Sequence, residues 1–136
     1  MEQASFKISN YRFTKTILDF SYHNGEELEI SFVVSGQFIK SQSKYDLNFT
    51  FNGSSKGFEE PFVTVDCIAT FQFTNVSSLS EVPNYFFRNS IALLFPYVRA
   101  YISMITLQSN TRPIVLPTLN LSALEEPLKN NSTEID

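Results

Sequence analysis

Apolar and polar residues alternate with period two through most of the first 74 residues, and the period then changes. Residues 27–39 show the alternation most clearly. Leu28, Ile30, Phe32 and Val34 fall on one face, with Glu29, Ser31 and Ser35 opposite. Residues 44–52 repeat it, with Tyr45, Leu47, Phe49 and Phe51 set against Asp46, Asn48, Thr50 and Asn52. Residues 62–74 place Val63, Val65, Cys67, Ala69, Phe71 and Phe73 in phase. The first strand region, 6–22, alternates at Phe6 and Ile8, slips around Asn10, and alternates again at Leu18, Phe20 and Tyr22; such a slip predicts a bulge or two strand pieces. His23-Asn24-Gly25 carries the left-handed turn residues of a hairpin. Repeated period-two patterning predicts an antiparallel sheet with one face in water.

Beyond Val76 the spacing becomes helical. Ser78-Leu79-Ser80-Glu81 has capping-box spacing, and Pro83 suits a first helical turn. Phe87, Ile91, Leu94, Val98, Tyr101 and Ile105 then follow at intervals of four and three, widened by Phe95 and Ile102. Ser109-Asn110 ends this long helix. Residues 111–120 hold Pro113 and Pro117 among Ile114, Val115, Leu116 and Leu119, which predicts an extended crossover. A short second helix is expected over 121–128, interrupted by Pro127, and a polar, frayed tail over 129–136. The fold class is therefore α+β: a four-stranded antiparallel sheet, a long helix, a Pro-containing crossover and a short second helix, in one domain spanning 1–128.

Composition narrows the function more by exclusion. The net charge is −4 and no two cations are adjacent, which disfavours nucleic acid as a partner. One cysteine and one histidine, Cys67 and His23, allow no intramolecular disulfide and no tetrahedral zinc site, so no metal and no cofactor are expected. The pairs Glu26-Glu27, Glu59-Glu60 and Glu125-Glu126 are neighbours in sequence and read as solvated element ends rather than acid–base dyads. The four glycines are isolated and form no phosphate-binding loop. The chain is read as a non-enzyme. With no signal-like N-terminus and no apolar stretch near the ~20 residues that span a bilayer, it is expected in the cytoplasm, without membrane insertion. The abundance is aromatic: 14 Phe and 6 Tyr, with no Trp. These rings pack a Phe-rich core, or they exceed what one small domain can hide and part of them faces an oligomer or a client.

Two stretches carry a resemblance. Leu94-Phe95-Pro96-Tyr97-Val98-Arg99, followed by Arg112-Pro113-Ile114-Val115-Leu116-Pro117 and Asn120-Leu121-Ser122-Ala123-Leu124, resembles the end of the SecB export-chaperone family. Phe6-Lys7-Ile8 and Thr14-Lys15-Thr16-Ile17 look like that family's first strand, so the resemblance runs over nearly the whole chain. It implies an ATP-independent holdase that binds apolar segments of non-native polypeptides, assembled as a homodimer or homotetramer. The matching groove residues would be Leu28, Ile30 and Phe32 on the second strand, Ile114, Leu116 and Leu119 on the crossover, and Leu121, Leu124 and Leu128 on the last helix. For Leu28, Ile30 and Phe32, ordinary core beneath the helix is an equal reading. Pro96 and Arg99 match family positions that shape and pack the helix.

The departures matter too. Export SecBs end in a zinc-binding tail that docks the SecA motor, whereas this chain ends Lys129-Asn130-Asn131-Ser132-Thr133-Glu134-Ile135-Asp136. Thr16 and Phe20 stand where motor-facing carboxylates would be, leaving Asp19. Solitary SecB-like chaperones hold an antitoxin's aggregation-prone tail, a role that survives loss of the SecA contacts. SecA and an antitoxin therefore both remain open as partners. The alternatives are an assembly protein with a closed groove and a small-molecule binder with a compact cavity.

Overall fold

The computed structural model describes residues 3–25, 27–117 and 120–136. Five strands form one sheet: β1 (Ser5–Leu18), β2 (Leu28–Ile39), β3 (Lys44–Ser55), β4 (Val63–Thr74) and β5 (Ser132–Ile135), in the order β1-β4-β3-β2-β5. The first four pair antiparallel, while β5 runs parallel to β2. Helix α1 (Tyr85–Gln108) packs on the sheet, and a 3-10 turn, Leu121–Leu124, leads into the short helix α2 (Glu125–Asn130).

β3 and β4 follow their alternation without fault. Tyr45, Leu47, Phe49 and Phe51, with Val63, Val65, Cys67, Ala69, Phe71 and Phe73, are all buried beneath α1. Their opposite face is stitched by register pairs: Thr70 donates to Asp46 at 2.7 Å, Thr50 to Asp66 at 2.8 Å and Thr64 to Asn52 at 2.9 Å. From α1, Phe86, Ile91, Leu94, Val98 and Ile102 descend into the core. Phe86 is the aromatic hub, its ring centroid 4.8 Å from those of Phe6 and Tyr45 and 4.9 Å from that of Phe73. Edge-on and tilted contacts of this kind add about 0.5–1.5 kcal/mol each beyond area burial.

The phase slip in the first strand is real: β1 shifts register against β4 between Ile8 and Asn10, and again between Phe13 and Lys15. Several expectations are corrected. First, β1 and β2 do not form a hairpin but lie apart in a Greek-key order, with β1 beside β4. The linking segment is too long to force a hairpin, and it is tied elsewhere: Asp19 N–H donates to Phe62 C=O at 2.8 Å, and Phe20 packs on Phe62. Second, the tail is not frayed. It supplies β5 and makes the sheet five-stranded and mixed, because Leu128 is fully buried and Tyr45 Oη meets Ser132 Oγ at 2.5 Å, which brings the tail to the open edge of β2. Third, the capping-box spacing heads only a 3-10 turn, Leu79–Glu81, and the box itself does not form: Ser78 caps no backbone N–H, and its Oγ donates instead to Glu81 Oε1 at 3.3 Å. Val82 is extended because Pro83 follows it, so α1 starts only at Tyr85. Pro127 likewise sits in the first turn of α2, where its missing N–H is not needed, and does not interrupt it.

The fourth correction concerns the long helix. By length and composition α1 is long and apolar enough to cross a membrane, because only Arg88 and Arg99 carry charge and its solvent side holds Leu93, Tyr97, Met104 and Leu107. Here its inner face is committed to the sheet. Pro96 and Ala92 both lie on the outer side, so the carbonyl deprived of its helical donor faces water.

Candidate functional site

The core face of β2 changes character along the strand. Val34 and Phe38 are buried in the core, on a strand against which α2 packs, whereas Leu28 and Phe32 are half-buried and Ile30 is 36% exposed. Leu28 and Ile30 form one wall of an open cleft of about 610 Å³. The crossover, residues 111–117, forms the other wall, Phe62 lies at the bottom, and His23, Gly25 and Glu27 close one end. His23 stacks on Phe62 at 4.2 Å, and Phe20 meets the same ring edge-on at 5.1 Å, which fixes that end of the cleft.

The crossover keeps its place although it has no regular secondary structure. Helix α1 ends at Gln108, and Asn110 just beyond it takes the left-handed conformation (φ 61°) while its N–H donates to Leu107 C=O at 3.0 Å. Two hydroxyls one turn apart on α1 then hold the backbone of Ile114: Ser103 Oγ donates to its C=O at 2.7 Å, and its N–H donates to Thr106 Oγ1 at 2.9 Å. Thr106 is itself buried and donates to Ile102 C=O at 2.9 Å. Leu116, 1% exposed, plugs the crossover into the core, leaving Ile114 half-buried and Val115 exposed.

Leu28, Ile30, Ile114 and Leu116 are thus brought together in one cleft. Phe32 continues the same face, its ring 5.4 Å from Phe49 and 6.0 Å from Phe95. Leu121 and Leu124 are half-buried against the core, outside the lining of that cleft, and Leu119 lies outside the described residues. The open lining expected at Leu116 and Leu128 is replaced by burial, because each is the apolar anchor that docks an otherwise polar segment. Pro96 and Arg99 line a shallower hollow of about 330 Å³ with Phe95 and Ser103. Sequence reasoning missed Phe62, His23, Arg112 and the two hydroxyls. Only Thr106, a polar residue next to the apolar stripe, gave a signal.

The cleft offers apolar surface and little reactive chemistry. Burial pushes the Cys67 thiol up to about 11, against a weaker backbone hydrogen bond from Arg12, so it stays protonated near neutrality. Ser55, in register with Leu28, keeps a buried hydroxyl with no hydrogen-bond partner among the described residues.

The fold is similar to that of the Mycobacterium tuberculosis Rv1957 SecB-like chaperone, solved in complex with a ChAD peptide from the Rv1956 HigA1 antitoxin. The two superpose with a TM-score of 0.60 over 85% of this chain and 91% of that one, at 16% identity. The fold is SecB-like. A protein of unknown function from Streptococcus agalactiae also aligns, with a TM-score of 0.45 and 11% identity over 86% of this chain and 100% of that one. In sequence, the uncharacterized protein MJ0357 of Methanocaldococcus jannaschii is 47% identical over 49 residues. That match takes in 34% of this chain and 32% of the relative, so the chain matches about a third of that protein's length. No family model matches the chain. Within the SecB-like fold, the cleft between β2 and the crossover is the feature with open apolar walls.

Proposed function

We propose that the protein is an ATP-independent holdase that keeps non-native polypeptides soluble by sheltering their apolar segments, and that it acts in the cytoplasm without catalysis. One observation carries the reading: half-exposed aliphatic side chains on β2 and the crossover face each other across an open cleft. The peptide-bound state of the SecB-like neighbour supports a peptide client, and an antitoxin tail and an export precursor are the two client classes. Thr16 and Phe20, which stand where motor-facing carboxylates would be, favour the antitoxin class over the SecA route. A second reading, an assembly protein with a filled groove, draws on the burial of Leu116 and Leu128, which shortens the open part.

Ile30→Ser and Ile114→Ser decide between them. Each removes a partly buried aliphatic group worth about 1–2 kcal/mol, so client affinity is expected to fall roughly five- to thirty-fold with the melting temperature nearly unchanged. Fluorescence anisotropy with a labelled, reduced and unfolded protein reads the first, and thermal melts read the second. Unchanged affinity in both variants, or a wild type that never slows aggregation of an unfolded protein, defeats the holdase reading.

The holdase is further proposed to be a homodimer or homotetramer. Leu93, Tyr97, Ala100, Met104 and Leu107 recur at intervals of four and three along the exposed side of α1, the spacing of a helix-pairing seam. Tyr97 also stacks on Tyr11 at 4.4 Å, which joins this stripe to β1, whose only strand partner among the described residues is β4. Light scattering is expected to give a multiple of 15.5 kDa. Tyr97→Glu with Met104→Glu should return the monomer mass, and a parent that already scatters as a monomer rules the assembly out.

A further inference from the structure

The cleft and the C-terminal strand share one edge of the sheet. Side chains of Leu28, Ile30, Phe32 and Val34 point toward the helical layer, and alternation along a strand sends the backbone N–H and C=O of these same residues one way. That way is outward: Gly36, next in phase, donates its N–H to Asn131 C=O at 3.1 Å, and Asn131 Nδ2 donates to Val34 C=O at 3.3 Å. β5 then pairs with Gly36–Ile39. The tail thus occupies the β2 edge from Val34 to Ile39, while from Leu28 to Phe32 no strand pairs with it among the described residues.

The tail is held lightly. It is a four-residue parallel strand, the weaker kind of pairing, and Thr133, Glu134 and Ile135 are exposed. Its ties are few: the Tyr45–Ser132 hydroxyl pair, Ser132 Oγ donating to Leu128 C=O at 2.7 Å, Leu79 N–H donating to Glu134 at 2.7 Å, and the ladder itself. The apolar anchor, Leu128, lies upstream of the strand and can stay seated while β5 peels away.

We infer that β5 is a built-in substitute for a client: it occupies the inner half of a client-binding edge and yields to an extended segment that enters from the cleft. Resting on the chaperone reading, this adds a length threshold to it. The open stretch takes about five residues, roughly 17 Å at 3.3 Å per residue, whereas the whole of β2 takes about twelve, roughly 40 Å. Short segments leave the tail in place, and long ones displace it.

The test uses the unmodified chain with two synthetic peptides of alternating Ile and Ser flanked by lysines, one of five alternating residues and one of twelve. Hydrogen exchange read by mass spectrometry is expected to show residues 132–135 losing protection on saturation with the longer peptide and keeping it with the shorter. In the full chain carrying Thr133→Pro and Ile135→Pro, which removes two N–H donors of the tail, the longer peptide is expected to bind about tenfold tighter because a competing closed state is gone. The shorter should bind as before. β5 that stays protected under the saturating long peptide overturns the inference while leaving the holdase intact, and this arm decides even if the proline variant melts. Failure of either peptide and of unfolded proteins to bind any form overturns both.

Discussion

Leu94→Asp is expected to abolish folding. Leu94 is fully buried between α1 and the sheet, one turn from Ile91 and one turn from Val98, which are equally enclosed. The cations of the helix, Arg88 and Arg99, are not buried with it, and Arg88 is paired with Glu125 at 3.3 Å. A carboxylate at this site has no counter-ion, and burying it costs several kcal/mol or forces its protonation. That is comparable with the whole stability of a domain this size, about 5–15 kcal/mol. Circular dichroism in water should show an unfolded or collapsed chain without a cooperative melt. Leu94→Met, which keeps the volume, should cost under about 1.5 kcal/mol. A cooperative Leu94→Asp melt near that of the parent would mean that α1 does not close the core as described.

Gly36→Ala is expected to be the most damaging single-methyl change. A Cβ at this position would lie 1.7 Å from Tyr45 Oη and 2.1 Å from its Cζ, because the tyrosine crosses directly over the glycine. The ring has no easy retreat: it is buried and set edge-on to Phe86 at 4.8 Å. Burial also pushes the phenol up to about 12, against the hydrogen bond with Ser132, so it remains a neutral partner for that hydroxyl at ordinary pH. Overpacking of this kind costs about 1–3 kcal/mol, or roughly 3–10 °C in melting temperature. Moving the ring also breaks its link to Ser132, so exchange protection of β5 should fall with the melting point. Tyr45→Val added to Gly36→Ala should recover part of the loss, since residues in direct contact do not act additively. A Gly36→Ala protein that melts with the parent would contradict the crossing of Tyr45 over β2.

How much of this was legible beforehand follows from what periodicity encodes. Period-two alternation states which face a side chain takes, so Tyr45 to Phe51 and Val63 to Phe73 were readable as core. It does not state which strands become neighbours, and the displacement of β1 to the side of β4 left no trace in the pattern. Nor does it state whether a face is covered. Ile30 and Val34 occupy equivalent positions in the alternation, yet one is exposed and the other buried, because coverage depends on where α1 and the crossover run. This is why Leu28, Ile30 and Phe32 could be read equally as core and as groove: alternation alone does not distinguish a covered face from an open one. Ser132–Ile135 was unreadable as a strand because nothing in a short polar segment specifies pairing. Its position is decided by Leu128, by Tyr45 and by the free edge of a distant strand.

The two hydroxyls that grip Ile114 give the cleft a thermal fuse. Ser103 and Thr106 stand in the last two turns of α1, where helices open most readily, and one wall of the cleft is suspended from them. When those turns fray, the crossover loses both backbone tethers together, while Ile91, Leu94 and Val98 still clamp the rest of the helix to the sheet. Warming is therefore expected to widen the cleft before global melting, which hydrogen exchange at Ile114 against temperature would read. On the proposed holdase reading, a client between the walls would hold the helix end closed in turn, coupling occupancy to local order.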